Sequence, residues 1–284
     1  MMDKAARLLR HPGFRAAPLR VLTRGVALAW HLRRGAVPAF PVMRGGPLLL
    51  VPPDWRYTTL SAFLMREHVE PELAALERFV PPGGVLVDVG ANIGLFSLKG
   101  AHLVGPAGLV LAVEPGAVSI ARLEANIALN HLPQLRLVRA ALSDSEGEMT
   151  LYHVPLGDDP QAFSLLSDGS AMASETVAVT TLDHLARAQA LSRLDCIKID
   201  VEGAEPMVVA GGRATLARFR PIIIFEVNAP MAGGQDNPAA CFDALMAMGY
   251  GISRLDGDAL TPLGQQPAVH GNLIAIHPQG PQPR

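Results

Sequence analysis

Residues 85–100 read VLVDVGANIGLFSLKG, an apolar run that stops at an acid and passes into Asp-x-Gly-x-Asn-x-Gly. The run Val85–Val89 predicts a strand buried on both faces. Gly90 and Gly94 mark a tight bend, where the missing side chains let the backbone turn and approach a ligand. A helix over 93–103 presents unpaired N–H groups and the positive end of its dipole to that bend.

The same alternation extends outward. Leu109–Val113 reads as a second buried strand ending in Glu114, followed by a helix at about 117–130 and a strand at 135–141. Residues 148–153 and 176–181 look like extra strands around a Pro/Gly/Ser-rich stretch, 154–174, read as a loop covering the acceptor. A helix near 182–190, a strand Cys196–Asp200, a helix over 205–218, a strand Pro221–Val227 and a helix at 238–248 come next. A strand pair at 250–254 and 272–277 closes the chain, and 59–79 upstream reads as one helix. This predicts an α/β protein, a mostly parallel sheet with helices on both faces. Ligands then sit beyond the carboxyl ends of the strands, where the strand order switches.

Composition bounds the rest. The 284 residues are 49% hydrophobic and 18% charged, enough for one large core or a core with an appendage. Residues 1–56 carry ten Lys/Arg against Asp3 and Asp54, so the remainder is strongly acidic. An acidic body does not suit nucleic acid. The first 56 residues read as a basic, Pro/Arg-rich appendage to a domain at 57–284, with a short helix from about Leu19 to Arg34. A surface for anionic lipid or an acidic partner is the sharper reading of that segment. Cys196 and Cys241 form neither a disulfide framework nor a CxxC metal site, so a reducing cytoplasm is the default. No apolar stretch reaches the length of a membrane span.

Glu114, twenty residues after Gly94 and just past the second strand, stands where a carboxylate can accept both ribose hydroxyls. That leaves NAD-type dinucleotides and S-adenosylmethionine. The dinucleotide fingerprint G-x-G-x-x-G is missing. Asp88 would repel a pyrophosphate but favours a ligand bearing an ammonium and a sulfonium, so the residues point to S-adenosylmethionine.

The stretch DVGANIGLFSL at 88–98 resembles the hallmark of the FkbM-type S-adenosylmethionine-dependent methyltransferases. EANIALN at 124–130, AALSDSEGEMTLY at 140–152, TLDHL at 181–185, IKIDVEGAEPMVVAGG at 197–212 and the strand IIIFEVN are similar as well. The resemblance implies a class I Rossmann-like fold with a seven-stranded sheet ending in an antiparallel hairpin. It also implies methyl transfer to a hydroxyl of a sugar, glycan or natural product. Matched position by position, Asp88, Gly90, Ala91, Asn92 and Gly94 form the cofactor loop, Glu114 the ribose acid, and Ser143 and Asp144 the adenine contacts. Asp200 and Glu202 face the methyl-donor end.

Methyl transfer from a sulfonium is mainly positioning, and a hydroxyl nucleophile also benefits from a general base. Glu202 is the better base candidate, with Asp200 partly serving the ligand's ammonium. Glu205 reads equally well as a helix N-terminal charge. Glu226 can join Asp200 across the crevice. These acids can hold Mg²⁺, but spacing alone establishes no metal, and metal-free positioning is preferred. His68 and His153 can project toward a small-molecule or glycan acceptor. Met207, Met246 and Met248 read as core filler. Competing readings are an NAD(P)-dependent oxidoreductase, disfavoured also by the lack of a Tyr-x-x-x-Lys pair, and a non-catalytic nucleoside-binding module.

Overall fold

The computed structural model describes residues 11–51, 57–156, 159–164, 173–227, 238–265 and 271–284. Two helices, α1 (Pro12–Ala16) and α2 (Pro18–Arg33), lead into a hairpin of β1 (Ala39–Pro41) and β2 (Leu48–Leu50). Helix α3 (Tyr57–Met65), a 3₁₀ turn (Arg66–Val69), the short α4 (Pro71–Ala74) and a further 3₁₀ turn (Leu76–Arg78) replace the single helix expected over 59–79. The chain breaks at Arg66, with φ +61°, and at Glu70, which Pro71 holds extended.

The core alternation follows: β3 (Val85–Val89), α5 (Leu95–Val104), β4 (Leu109–Val113), α6 (Ala117–Asn130) and β5 (Leu135–Val138). The chain then leaves the main sheet for β6 (Ala141–Leu142), β7 (Gly147–Leu156), β8 (Asp159–Ser164) and β9 (Ala173–Thr180). These four pair into a separate small sheet. The stretch expected as a structureless loop therefore contains the end of β7 and all of β8, with Tyr152 opposite Ser164. Residues 157–158 and 165–172 of that stretch lie outside the described residues. Helix α7 (Leu182–Ala188), β10 (Cys196–Ile199), α8 (Glu205–Gly211), α9 (Arg213–Phe219), β11 (Ile222–Val227), α10 (Pro238–Ala247), β12 (Gly251–Asp256), β13 (Ala259–Leu263) and β14 (Gly271–Ile276) complete the order. Gly212 divides the helix expected over 205–218 into α8 and α9.

The main sheet runs β13–β12–β14–β11–β10–β3–β4–β5. It is parallel from β11 to β5 and antiparallel from β14 outward. Among the described residues it has eight strands rather than the expected seven, because β13 adds an outer strand to the terminal hairpin. Strand order reverses between β3 and β10, so the loops leaving these two strands share one crevice.

Period-two alternation sorts the sheet into two cores. Val87, Ile197, Ile199, Ile223 and Phe225 face the helices that follow β9. Leu86, Cys196, Ile222, Ile224 and Ile274 face the other way, with Phe40, Leu49, Phe63 and Phe79 from the chain before β3. The hairpin at 39–50 thus shares a core with the sheet. Cys196 and Cys241 are buried free thiols. Met246 departs from its expected place in the core, being 41% exposed, because it lies on the outer face of α10. Among the described residues, no helix is long and apolar enough to cross a membrane.

Candidate active site

The loop after β3 is built as its sequence asks. Gly90 and Gly94 take positive φ, 77° and 94°, and the non-glycine Asn92 joins them at 48°. At both glycines the room a side chain would need is taken by protein. A Cβ on Gly90 would lie 1.9 Å from the Asp200 carbonyl oxygen, and one on Gly94 would lie 2.5 Å from Leu123. The close approach at Gly90 presses the β3 loop against the β10 loop. The backbone N–H groups of Gly90 and Ala91 both donate to the Val113 carbonyl, tying the loop to the end of β4.

Glu114 completes that knot. One carboxylate oxygen accepts the Asn92 N–H at 2.8 Å and the other accepts the Gly116 N–H at 2.9 Å. Each oxygen keeps lone-pair capacity for a further donor. Burial pushes the Glu114 carboxyl up to about 7, against the pull of those two N–H groups. Of the adenine pair, Ser143 is fully buried and its N–H donates to Thr180, whereas Asp144 is exposed.

Asp88 is fully buried. Its Oδ2 accepts the Ser97 hydroxyl at 2.5 Å, and its Oδ1 has no hydrogen-bond partner among the described residues. The cation that faces it is Lys198, its Cα partner in the parallel β3–β10 register. Asp88 thus faces a cation of the chain itself across the β3–β10 pair. Burial raises its pKa, while Lys198 and Ser97 oppose the rise.

Lys198 was missed in the sequence. It is 4% exposed, with its ammonium 2.7 Å from Asp200 Oδ2 and 4.8 Å above the Phe96 ring. Burial alone would lower its pKa, but Asp200, Asp88 and Glu70 drive it above the ordinary lysine range. The signal was present: a lysine inside the apolar strand CIKI, two residues before an acid, has to be buried and paired. For Asp200, burial favours the neutral form, yet Lys198 and a side-chain hydrogen bond with Glu226 hold its pKa below the usual value.

Carboxylate oxygens of Asp200, Glu202 and Glu226 lie within 4.8 Å of one another. Glu202 holds φ +52°, a left-handed conformation that costs a non-glycine residue about 1–2 kcal/mol. Glu205 turns back instead, accepting the N–H groups of Val201 and Gly203, and burial raises its pKa to about 7. It braces the loop that precedes α8.

Glu70, Glu72 and Asn272 extend the polar cluster, and no sequence signal marked them. Asn272 pairs with Glu226 across β14 and β11, and its amide donates to Glu70 at 2.9 Å and Glu72 at 3.2 Å. Burial pushes Glu70 up to about 7. His68 does not join the cluster. It is exposed and lines a separate cavity beside α1 and α2. The backbone of His153 pairs within the small sheet, and its side chain lies outside the described residues.

The crevice thus offers one anchored carboxylate at the end of β4 and three converging carboxylates beyond β10 and β11. Lys198, the cation among them, is already paired. A ligand with a ribose diol and a cationic centre fits this set, and a pyrophosphate meets repulsion there.

The fold, a mostly parallel sheet with antiparallel strands at its C-terminal end, is of the class I methyltransferase type. A family model described as the Methyltransferase FkbM domain matches residues 88–252, and the chain belongs to that family. It is 31% identical over 210 residues to the AMB antimetabolite synthetase AmbE of Pseudomonas aeruginosa, a match covering 61% of this chain and 10% of that protein. The chain therefore spans about a tenth of that synthetase's length. It is 29% identical over 213 residues to the 31-O-demethyl-FK506 methyltransferase FkbM of Streptomyces tacrolimicus, covering 65% of this chain and 75% of that one. It is also 29% identical over 178 residues to the 2-O-methyltransferase NoeI of Sinorhizobium fredii, covering 58% and 72%.

Proposed function

We propose that the chain is an S-adenosylmethionine-dependent methyltransferase acting on a hydroxyl oxygen of a small sugar, glycan or natural-product acceptor. The observation that carries the reading is the contact of Gly90 with Asp200, which sets the cofactor loop against the Asp200–Glu202–Glu226 cluster. The names of two relatives, which specify O-methylation, support the choice of atom.

S-adenosylmethionine, when bound, would supply a methyl group on a sulfonium whose leaving group is a neutral thioether. Glu114 and Asn92 would hold its ribose side and Asp144 its adenine side. Asp200, fixed by Lys198, turns a carboxylate toward the cationic end of the cofactor. Glu202 takes the hydroxyl proton as the C–O bond forms, so the attacking oxygen does not become an oxonium. Glu70, Glu72 and Asn272 form the acceptor-side wall. Positioning of this kind needs no metal, and the three converging acids would equally hold Mg²⁺ through their oxygens.

Titration calorimetry with S-adenosylhomocysteine and with NAD tests the reading. Binding of the first and not the second is expected, unchanged by a chelator. Binding of NAD alone would overturn it in favour of an oxidoreductase.

A further inference from the structure

Residues 11–51 contain six arginines and two histidines and no aspartate or glutamate. Helix α2 within this stretch has two apolar faces. Val21 and Leu28 are buried against the body. On the opposite face Leu19, Leu22, Val26 and Trp30 are 78%, 57%, 74% and 51% exposed. Their spacings of three, four and four residues line them up as one stripe along the helix. Arg33 lies within this stripe, and Arg34 stacks over the Trp30 ring at 3.9 Å.

Arg20, next to Leu19, leads from the stripe into a cavity of about 420 Å³ that Arg24, Arg44 and Arg66 also line. Among the described residues, the one carboxylate on its wall is Glu67, paired at 2.7 Å with the buried Lys99. Arg24 and Arg66 are each held by a backbone carbonyl, Leu64 at 2.8 Å and Pro41 at 3.3 Å. Among the described residues, none of the four arginines has a carboxylate partner. Burial, and after it the neighbouring Arg24, lower Arg66 to about 10.

An apolar stripe ending in Trp and bordered by arginines matches the boundary between phospholipid headgroups and acyl chains. A second copy of this chain fits less well, because stripe-to-stripe pairing would set one acid-free arginine cluster against another. We propose that this face docks the protein on an anionic phospholipid bilayer, the stripe entering the headgroup–acyl boundary and the arginine cavity taking lipid phosphate. The inference rests on residues outside the methyl-transfer crevice and is independent of the reading given to that crevice.

Vesicle flotation of the full chain tests it, using phosphatidylcholine alone and phosphatidylcholine mixed with phosphatidylglycerol. The protein is expected to float with the mixed vesicles only, less so as salt rises, with a blue shift of Trp30 emission that Trp30→Phe removes. Arg20→Gln and Arg34→Gln should each weaken binding about fivefold. Leu22→Ser with Val26→Ser should abolish it, and because these side chains are exposed, thermal melts should be unaltered. Failure to float with mixed vesicles overturns the proposal. So does equal flotation on phosphatidylcholine, or thermal protection by inorganic phosphate without vesicle binding. A wild-type dimer in sedimentation velocity that the stripe variants dissolve also overturns it, assigning the stripe to a second copy.

Discussion

The Lys198 ammonium lies 2.7 Å from the Asp200 carboxylate, inside the sheet and directly behind the crevice. The pair lets an acid at the mouth of the site stay ionised although burial disfavours its charge. Lys198→Met should cost about 3–5 kcal/mol in urea unfolding, since it strands buried carboxylates without their cation. The double variant Lys198→Met/Asp200→Asn should recover part of that loss. A single variant as stable as wild type would show that the pair does not matter.

Gly90→Ala should destabilise the chain by about 2–4 kcal/mol, combining overpacking against the Asp200 carbonyl with a positive φ. Gly35 is the internal control, at φ +65° where α2 ends, with no atom within 4 Å of the place a Cβ would take. Gly35→Ala should cost only about 1 kcal/mol. Equal losses in thermal or urea unfolding would contradict the contact between the two loops.

Glu202→Gln should lower turnover by roughly 10²–10⁴ and leave S-adenosylhomocysteine affinity unchanged. Glu202→Gly should be as inactive yet no less stable, because glycine relieves the left-handed backbone. Stability lost together with activity would make Glu202 a structural residue.

Glu114→Ala should weaken S-adenosylhomocysteine binding by about 1–3 kcal/mol. Because the Glu114 carboxyl titrates at about 7, calorimetry on the wild type should also find affinity rising as the pH passes upward through 7. A flat profile with an intact Glu114→Ala affinity would sink the ribose assignment.

Stability should run the other way with pH. Glu70, Glu114 and Glu205 have folded-state pKa values raised to about 7 from 4.5. The folded chain therefore binds more protons than the unfolded one across that interval. Their contribution is fully present below about 4.5 and is lost as pH rises through 7. The depressed Asp200 acts only below this window. Melting temperature of the ligand-free protein should be higher at pH 5 than at pH 8.

The strand-to-helix turn at 88–94 and the acid at 114 were legible because local chemistry dictates them: two glycines at positive φ, an apolar run and a carboxylate at a strand end. Lys198 was half legible, as a charge inside an apolar strand. Glu70, Glu72 and Asn272 were not legible, because 202 residues separate Glu70 from Asn272: the antiparallel β11–β14 register sets Asn272 beside Glu226, and the packing of the segment before β3 brings Glu70 and Glu72 to it. Separate causes hid the breaks at Arg66 and Gly212 and the pairing of β8, which depend on how neighbouring elements pack and not on local periodicity.

By itself, the order of motifs determined the fold class and the cofactor loop, since buried strands and tight turns leave few residue choices. Tertiary structure decided what each acid does. Burial and register turned Asp88 toward Lys198 and folded Glu205 back onto its own loop. They left Glu202 and Asp200 at the crevice, because a carboxylate's role is set by the charges around it and by its access to solvent, neither of which is written in its neighbours along the chain.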